Sequence, residues 1–279
     1  MVEQLKQQAD HIREGVIEVV YTKQQGHVGG PLSAADLLAA LYFHVMDVRP
    51  SEPNWEERDR FILSKGHSGI ALYVTLALKG YFSYEELFTF DQLHSRLQAH
   101  PDMTKLPGID MSTGSLGQGI SAGVGMALAA KLKKADFRTF VMIGDGESQE
   151  GQVWEAAHVA SRYRLNNLIV IVDNNGLQQY GWREESALSR ERPEYNHVEK
   201  WKAFGWKAIS IDGHSMKEIV SSLDSAKNNQ VERPIAIIAN TVKGKGVSFM
   251  EGDFNWHSKV PTDEEFERAM DELGRRETR

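Results

Sequence analysis

Two runs of strand-forming residues, with a helical pattern between them, constrain the fold of this chain more than any other feature. The runs occupy residues 140–143 and 168–172, and no polar residue interrupts either of them. Between them, residues 153–160 carry apolar side chains at helical spacing. Uninterrupted apolar strands are typical of parallel strands buried on both faces. The pattern therefore predicts a strand–helix–strand unit within a parallel sheet.

The same alternation of strand and helix continues on both sides of this unit. We expect a first helix over residues 3–24, a second helix N-capped by Ser33, and further strands at residues 61–63, 207–211 and 235–239. This order predicts an α/β fold: a doubly wound, mostly parallel sheet with helices on both faces. We expect a single domain over residues 1–279.

Composition limits the classes of partner. The net charge is −7 without a basic cluster, so we do not expect a nucleic-acid partner. The N-terminus lacks the apolar segment of a signal peptide, and no apolar run is long enough to span a bilayer, so we expect no membrane partner. The chain has no cysteine, which fits a reducing compartment. We therefore expect a cytoplasmic protein.

The sequence predicts a binding site where the two central strands end. Asp145 lies between two glycines after the first strand, and Asn175 follows the second. Loops at the carboxyl ends of neighbouring parallel strands meet in one crevice, so these side chains should lie together. Carboxylate and amide oxygens suit Mg²⁺, and a helix N-terminus beside them suits an anion. We interpret the unit as a site for a metal-bound diphosphate; two ordinary strand-end turns are the alternative.

Four histidines lie in loops flanked by Gly, Ser or Pro: His27, His67, His100 and His257. A single loop histidine is more often structural than catalytic, but four that converge by topology favour a site. Gly123 and Gly125 stand inside a predicted helix, which predicts close approach of another backbone or a ligand. The segment 241–246 is rich in Gly and Lys but lacks the P-loop spacing, so we do not interpret it as a phosphate loop.

In chain order, these segments together resemble the N-terminal, diphosphate-binding domain of the transketolase family. The resemblance is carried by residues 26–33, 59–67, 100–101, 113–119 and 144–177 and by His257. It implies that Asp145, the Asn175 side chain and the Leu177 carbonyl hold Mg²⁺, for which Ca²⁺ or Mn²⁺ could substitute. It also implies the residues that bind thiamine diphosphate: His67, Gly114, Ser115, Leu116, Gly146, Glu150, Asn175 and His257.

The resemblance further implies roles for the histidines and for a partner chain. His27, His67, His100 and His257 would be the catalytic residues, lining the funnel over the thiazolium and meeting the hydroxyl groups of the substrate. Glu150 resembles a glutamate at the subunit interface, connected to the catalytic glutamate of the opposing domain. A complete transketolase is more than twice as long, and its middle domain supplies the pyrimidine pocket. The chain therefore resembles the N-terminal subunit of a split transketolase.

Such a subunit would transfer a two-carbon ketol unit from a ketose phosphate to an aldose only together with a C-terminal subunit, as a 2+2 heterotetramer. The sequence does not decide whether the substrate is a pentose phosphate or a specialised sugar phosphate. Tyr180-Gly181-Trp182 departs from many relatives, which carry an acidic residue before the glycine.

Two other classes of protein stay open from the sequence. One is a different thiamine-dependent subunit, either the alpha chain of a 2-oxo acid dehydrogenase or a deoxyxylulose phosphate synthase. The other is a cofactor-binding homologue without catalytic activity. Nicotinamide binding is not expected, because no Gly-x-Gly-x-x-Gly motif follows the first strand.

Overall fold

Five parallel strands form one sheet in the part of the chain that the structure describes, residues 1–179 and 196–277 of a computed structural model. Their spatial order is β1-β2-β3-β5-β4. The strands are β1 (Arg60–Leu63), β2 (Thr139–Gly144), β3 (Leu168–Asn174), β4 (Lys207–Asp212) and β5 (Ile235–Asn240). The Tyr180-Gly181-Trp182 departure lies outside the described residues.

Helices cover both faces of the sheet, because successive strand residues point to opposite sides and both sets are apolar. The helices are α1 (Val2–Lys23), α2 (Gly29–Ala40), α3 (Gly69–Lys79), α4 (Gly119–Lys133), α5 (Gly151–Arg162), α6 (His197–Ala203), α7 (Met216–Lys227) and α8 (Asp263–Glu277). One sheet face carries Phe140, Met142 and Ile171 and packs against the group that contains α1–α3, α7 and α8. The other carries Val141 and Val170 and packs against α4–α6. The doubly wound, parallel prediction is confirmed.

The start of α2 differs from the sequence-based expectation. The helix begins at Gly29, so Ser33 is not its N-cap. Pro31 does not delay the helix, because the N–H groups of the first turn have no intrahelical acceptor and proline loses nothing there. Ser33 lies inside the helix instead, and its hydroxyl donates to Asp173 Oδ2 at 2.6 Å. A predicted cap is therefore a link to the central strand.

The two glycines of α4 have different surroundings. A Cβ added at Gly123 would lie 2.4 Å from Val141 Cγ2, so the helix packs directly on β2 at this position. A Cβ added at Gly125 would meet no atom within 4 Å. The close neighbour of Gly123 is therefore a strand side chain and not the backbone or ligand that was predicted, and Gly125 has no close neighbour among the described residues. Across the described ranges, none of the helices combines the length and apolar character that crossing a bilayer requires.

Candidate active site

A cavity of about 420 Å³ lies at the carboxyl ends of β1, β2, β3 and β5. The predicted site residues that line it are His27, His67, Gly114, Leu116, Asp145, Gly146, Glu150, Asn175, Leu177 and His257. Ser115 and His100 lie outside this lining. His100 is nevertheless adjacent, because a Cβ added at Gly114 would be 3.2 Å from its Cδ2. The topology thus brings together residues from nearly the whole length of the chain.

Three of the histidines form a triangle of imidazole rings. The ring centroids of His27 and His67 are 5.4 Å apart, those of His27 and His257 5.1 Å, and those of His67 and His257 5.2 Å. Burial, together with neighbouring cations and imidazoles, lowers the pKa of His67 to about 2 and that of His257 to about 3. The pKa of His27 is also lowered, first by burial and then by His100 and Lys243. The rings are therefore neutral near pH 7, when each can donate one hydrogen bond and accept another.

Lys243 is a cavity residue that the sequence analysis missed. Its ammonium donates to the Gln178 carbonyl at 2.6 Å and to His257 Nδ1 at 2.8 Å. An ammonium cannot accept a hydrogen bond, so Nδ1 of His257 is the acceptor and its ring proton is on Nε2. Burial, followed by the nearby Lys65, lowers the pKa of Lys243 to about 8. The sequence did contain a signal for this residue, because Lys243 follows a predicted buried strand and lies in a Gly-rich segment. The spacing of that segment is not that of a P-loop.

The predicted metal ligands lie side by side, as the parallel register requires. Gly144 of β2 is paired with Asp173 of β3, which places Asp145 next to the turn after β3. Asp145 Oδ2 accepts the Gly176 N–H at 2.9 Å, and Asn175 Oδ1 accepts the Leu177 N–H at 3.1 Å. Burial, and next the neighbouring Asp173, raise the pKa of Asp145 to about 6. A bound cation at this position would stabilise the ionised carboxylate.

These residues fit an oxygen-coordinated divalent cation. Asp145 offers a carboxylate, Asn175 an amide oxygen and Leu177 a backbone carbonyl, which are the ligand types that Mg²⁺ prefers. No group of three or more His, Asp, Glu or Cys side chains arranged for a metal is found in residues 1–179 and 196–277. The predicted set does not need one, since it contains a single carboxylate. Burial and the neighbouring Asp173 raise the pKa of Asp145 although Lys65 acts in the opposite direction, and a bound cation would favour the ionised form further.

A buried ion pair lies at the floor of the cavity, where Lys65 is one of the lining residues, and it too was missed from the sequence. Lys65 and Asp173 are 1% and 0% exposed, and the Lys65 ammonium donates to Asp173 Oδ2. The same ammonium donates to the Gly30 carbonyl at 3.0 Å, and the hydroxyl of Thr241 donates to Asp173 Oδ1. Burial alone would raise the pKa of Asp173, but the Lys65 ammonium and the hydroxyl donors lower it. The pair thus connects the end of β3 to the segments that follow β1 and β5 and to the start of α2.

A second buried carboxylate, Glu147, connects three further segments. Its Oε1 accepts hydrogen bonds from the Ser64 hydroxyl and from the Gly117 N–H at 2.8 Å. Its Oε2 accepts the Gly144 N–H at 3.1 Å. Burial raises the pKa of Glu147 despite these donors. The Gly114–Leu116 segment predicted to contact the cofactor is therefore fixed to the ends of β1 and β2 by one side chain.

The cavity is open on the side of Glu150 and Leu116. Glu150 is exposed, and Leu116 is 38% exposed although its side chain is apolar. A Cβ added at Gly117 would be 2.8 Å from Glu150 Cβ, so the two cavity-edge segments are in close contact. The placement of Glu150 at a subunit interface stays a prediction.

Comparison with known proteins gives concordant matches. The family model described as "Transketolase, thiamine diphosphate binding domain" matches residues 4–278. An apulose-4-phosphate transketolase subunit of Phocaeicola vulgatus is 44% identical over 275 residues, 99% of this chain and 95% of that protein. The 6-deoxy-6-sulfo-D-fructose transketolase subunit SqwG of Clostridium sp. is 48% identical over 269 residues, 96% of each. The crystal structure of Campylobacter jejuni transketolase has a TM-score of 0.88 at 35% identity, covering 98% of this chain and 43% of that one.

Proposed function

The chain belongs to the transketolase family, as its N-terminal thiamine diphosphate-binding part, and on this premise we propose that it transfers a two-carbon ketol unit from a ketose phosphate to an aldose. The proposal rests on the fraction of each relative's length that this chain covers. This chain spans at least 95% of two relatives that are named transketolase subunits, but 43% of the transketolase from C. jejuni. The remaining part of the enzyme would be a second polypeptide.

The cavity would hold the cofactor through oxygen ligands and close backbone approach. Asp145, Asn175 and the Leu177 carbonyl would hold Mg²⁺, and Gly146 with the Gly114–Leu116 segment would contact the diphosphate side of thiamine diphosphate. Gly114 has φ +147°, a conformation that residues with side chains rarely adopt, and it lies against the His100 ring. When bound, thiamine diphosphate supplies the reactive carbon that breaks and forms the C–C bond next to the ketose carbonyl.

The histidines would bind the sugar and move its protons. His27, His67 and His257 are neutral near pH 7, so each can hydrogen-bond a hydroxyl group of the sugar. Because the pKa values of His67 and His257 are about 2 and about 3, these two rings are weak bases, and His27 would be the ring that accepts a hydroxyl proton and donates it back. The Lys243 ammonium orients His257 through Nδ1, leaving its Nε2–H as the remaining hydrogen-bond donor. His100, beside Gly114, would meet another hydroxyl group of the substrate.

Activity would require the C-terminal subunit, because the pyrimidine pocket and its glutamate have no counterpart in the part of the family that this chain matches. Glu150, exposed at the open side of the cavity, would contact that subunit in a 2+2 heterotetramer. The sugar substrate would be a pentose phosphate or, by analogy with the two named subunits, a branched or modified sugar phosphate. We further propose a cytoplasmic location, which the absence of cysteine fits.

Reconstitution from separately purified chains tests this function. We expect the mixture of this chain and its C-terminal subunit, with Mg²⁺ and thiamine diphosphate, to catalyse ketol transfer, and each chain by itself to be inactive. Glu150→Gln should lower the activity of the mixture at least about tenfold, the loss expected for one strong charged hydrogen bond. Glu155→Gln, on the exposed face of α5, is the matched control.

Three results would contradict the proposal. They are full activity of this chain alone, no ketol transfer by the mixture with any ketose phosphate, and turnover of 2-oxo acids in place of ketoses.

A further inference from the structure

A second buried cluster lies beneath the loop that carries Lys243, outside the lining of the cavity. It contains Arg13 of α1, Asp36 of α2 and His214, which follows β4. Arg13 and Asp36 are 3% and 6% exposed, and the Arg13 guanidinium donates to Asp36 Oδ2. His214 Nδ1 is 2.8 Å from the same oxygen. Its other ring nitrogen, Nε2, is 2.8 Å from the backbone nitrogen of Val242.

These contacts determine which nitrogen of His214 carries the ring proton. A backbone N–H can only donate, so Nε2 of His214 must be the acceptor for Val242. In the neutral ring the proton is then on Nδ1, where it is donated to the Asp36 carboxylate. Burial alone would raise the pKa of Asp36, but Arg13 and His214 lower it, so Asp36 is an ionised acceptor. The ring thus joins a fixed charge on α2 to one backbone amide.

That amide immediately precedes the lysine of the cavity. The loop is also held on either side of this amide. The Thr241 N–H donates to the Asn174 carbonyl at 3.2 Å, the Lys245 N–H to the Val242 carbonyl at 3.1 Å and the Gly252 N–H to the Lys243 carbonyl at 2.9 Å. None of these contacts engages the Val242 N–H, which His214 accepts. Val242 is the residue before Lys243, so the position of its amide bears on where the Lys243 side chain begins.

We propose that His214 is a positioning residue, which holds the Val242 amide and thereby directs the Lys243 ammonium onto His257 Nδ1 in the cofactor cavity. The inference rests on the proposed function, since it treats the cavity as the cofactor site. His214 itself would touch neither the cofactor nor the substrate. Its effect would be to keep the ammonium of a buried lysine within 2.8 Å of an imidazole nitrogen.

Two amide substitutions separate this role from simple packing. In His214→Asn, the side-chain amide can occupy the position of Nδ1 and donate to Asp36, but it is too short to accept from Val242. In His214→Gln, the longer side chain brings an amide oxygen to the position of Nε2 and restores the acceptor. If His214 only filled space, the two variants would differ little. If it holds the amide, Gln should rescue the defect and Asn should not.

The experiment combines amide hydrogen exchange of this chain with Mg²⁺-dependent thiamine diphosphate titration of the reconstituted pair. We expect His214→Asn to raise the exchange rate of the Val242 amide about tenfold and to weaken cofactor binding about tenfold, as for one buried hydrogen bond. His214→Gln should recover most of both effects. His44→Asn is the control, because His44 Nε2 pairs with Asp224 at 3.0 Å in the second half of α7.

The outcomes distinguish this inference from the proposed function. Unchanged exchange at Val242 in His214→Asn overturns the inference whatever the cofactor does, and so does faster exchange with wild-type cofactor affinity. Equal defects in the Asn and Gln variants also overturn it, because they indicate packing alone. If the wild-type pair fails to bind thiamine diphosphate, the proposed function fails, while the exchange data still decide whether His214 holds the amide. Should His214→Asn fail to fold, His214→Leu, which also lacks an acceptor at the Nε2 position, is compared with His214→Gln in its place; equal defects in these two variants overturn the inference.

Discussion

Replacing Asp145 with asparagine should stabilise the metal-free chain while removing its metal site. Asp145 is a mostly buried carboxylate beside the fully buried Asp173, and one of its oxygens accepts the Gly176 N–H at 2.9 Å. Asp173 already has Lys65 as its cationic partner. Without a bound cation, the ionised Asp145 is therefore held next to a like charge. An asparagine side chain keeps an acceptor for the Gly176 amide and removes the charge.

The magnitude follows from the pKa of this group. Its pKa rises from 3.8 to about 6 on folding, so the folded chain binds the proton more tightly than the unfolded chain. Stability then falls as the pH rises between these two values and stays low above the folded pKa, with a limit of about 3 kcal/mol. Partial access to solvent reduces this limit. We expect Asp145→Asn to raise the free energy of unfolding by about 1–3 kcal/mol at pH 7.5 and by progressively less as the pH falls below 6.

Urea unfolding with a chelator, at pH 7.5 and at pH 4.5, measures both parts of the prediction. Asp136→Asn is the control, because its side chain is 98% exposed and the substitution should change stability by less than about 0.5 kcal/mol. Adding Mg²⁺ and thiamine diphosphate should stabilise the wild-type chain and leave Asp145→Asn unchanged. A variant that is no more stable than wild type at pH 7.5 would refute the reasoning about the uncompensated carboxylate.

Two further predictions concern stability, and urea unfolding measures both. Lys65→Met should lower the free energy of unfolding by about 3–5 kcal/mol, because it leaves Asp173 buried without its cation. Lys202→Met, which breaks an exposed ion pair, should cost less than about 1 kcal/mol. Equal losses in the two variants would contradict the interpretation of Lys65 and Asp173 as a buried pair. Gly123→Ala should cost about 1–3 kcal/mol through overpacking against β2, whereas Gly125→Ala should be neutral or gain up to about 1 kcal/mol from helix propensity. A destabilising Gly125→Ala would show that its outer face is not open in the isolated chain.

Much of the fold was predictable because it depends on local patterns. The uninterrupted apolar runs of β2 and β3 indicate strands buried on both faces, and the structure extends them only slightly beyond the predicted runs. The proximity of Asp145 and Asn175 also followed, since parallel strands in register place their carboxyl ends together. The start of α2 was placed too late, because a serine that resembles a cap serves instead as a donor to Asp173.

Pairs of residues distant in sequence could not be predicted in the same way. Lys65 and Asp173 are 108 positions apart, and nothing in the local sequence of either one indicates the other. Lys243 lies in a segment that fails the P-loop pattern, yet it enters the cavity because β5 is the neighbour of β3. Strand order, which the residues themselves do not encode locally, decides both contacts. The tautomer of His214 likewise depends on a backbone amide of another strand's loop.

The buried carboxylates under the cavity have a consequence for how an enzyme in two pieces is produced. Asp173 is paired with Lys65, Asp36 with Arg13 and His214, and Glu147 with a hydroxyl and two backbone amides, all within this chain. Asp145 needs a cation, which solution can supply. None of these groups requires a second polypeptide to become stable. We therefore expect that these carboxylates do not make the folding of this subunit depend on its partner.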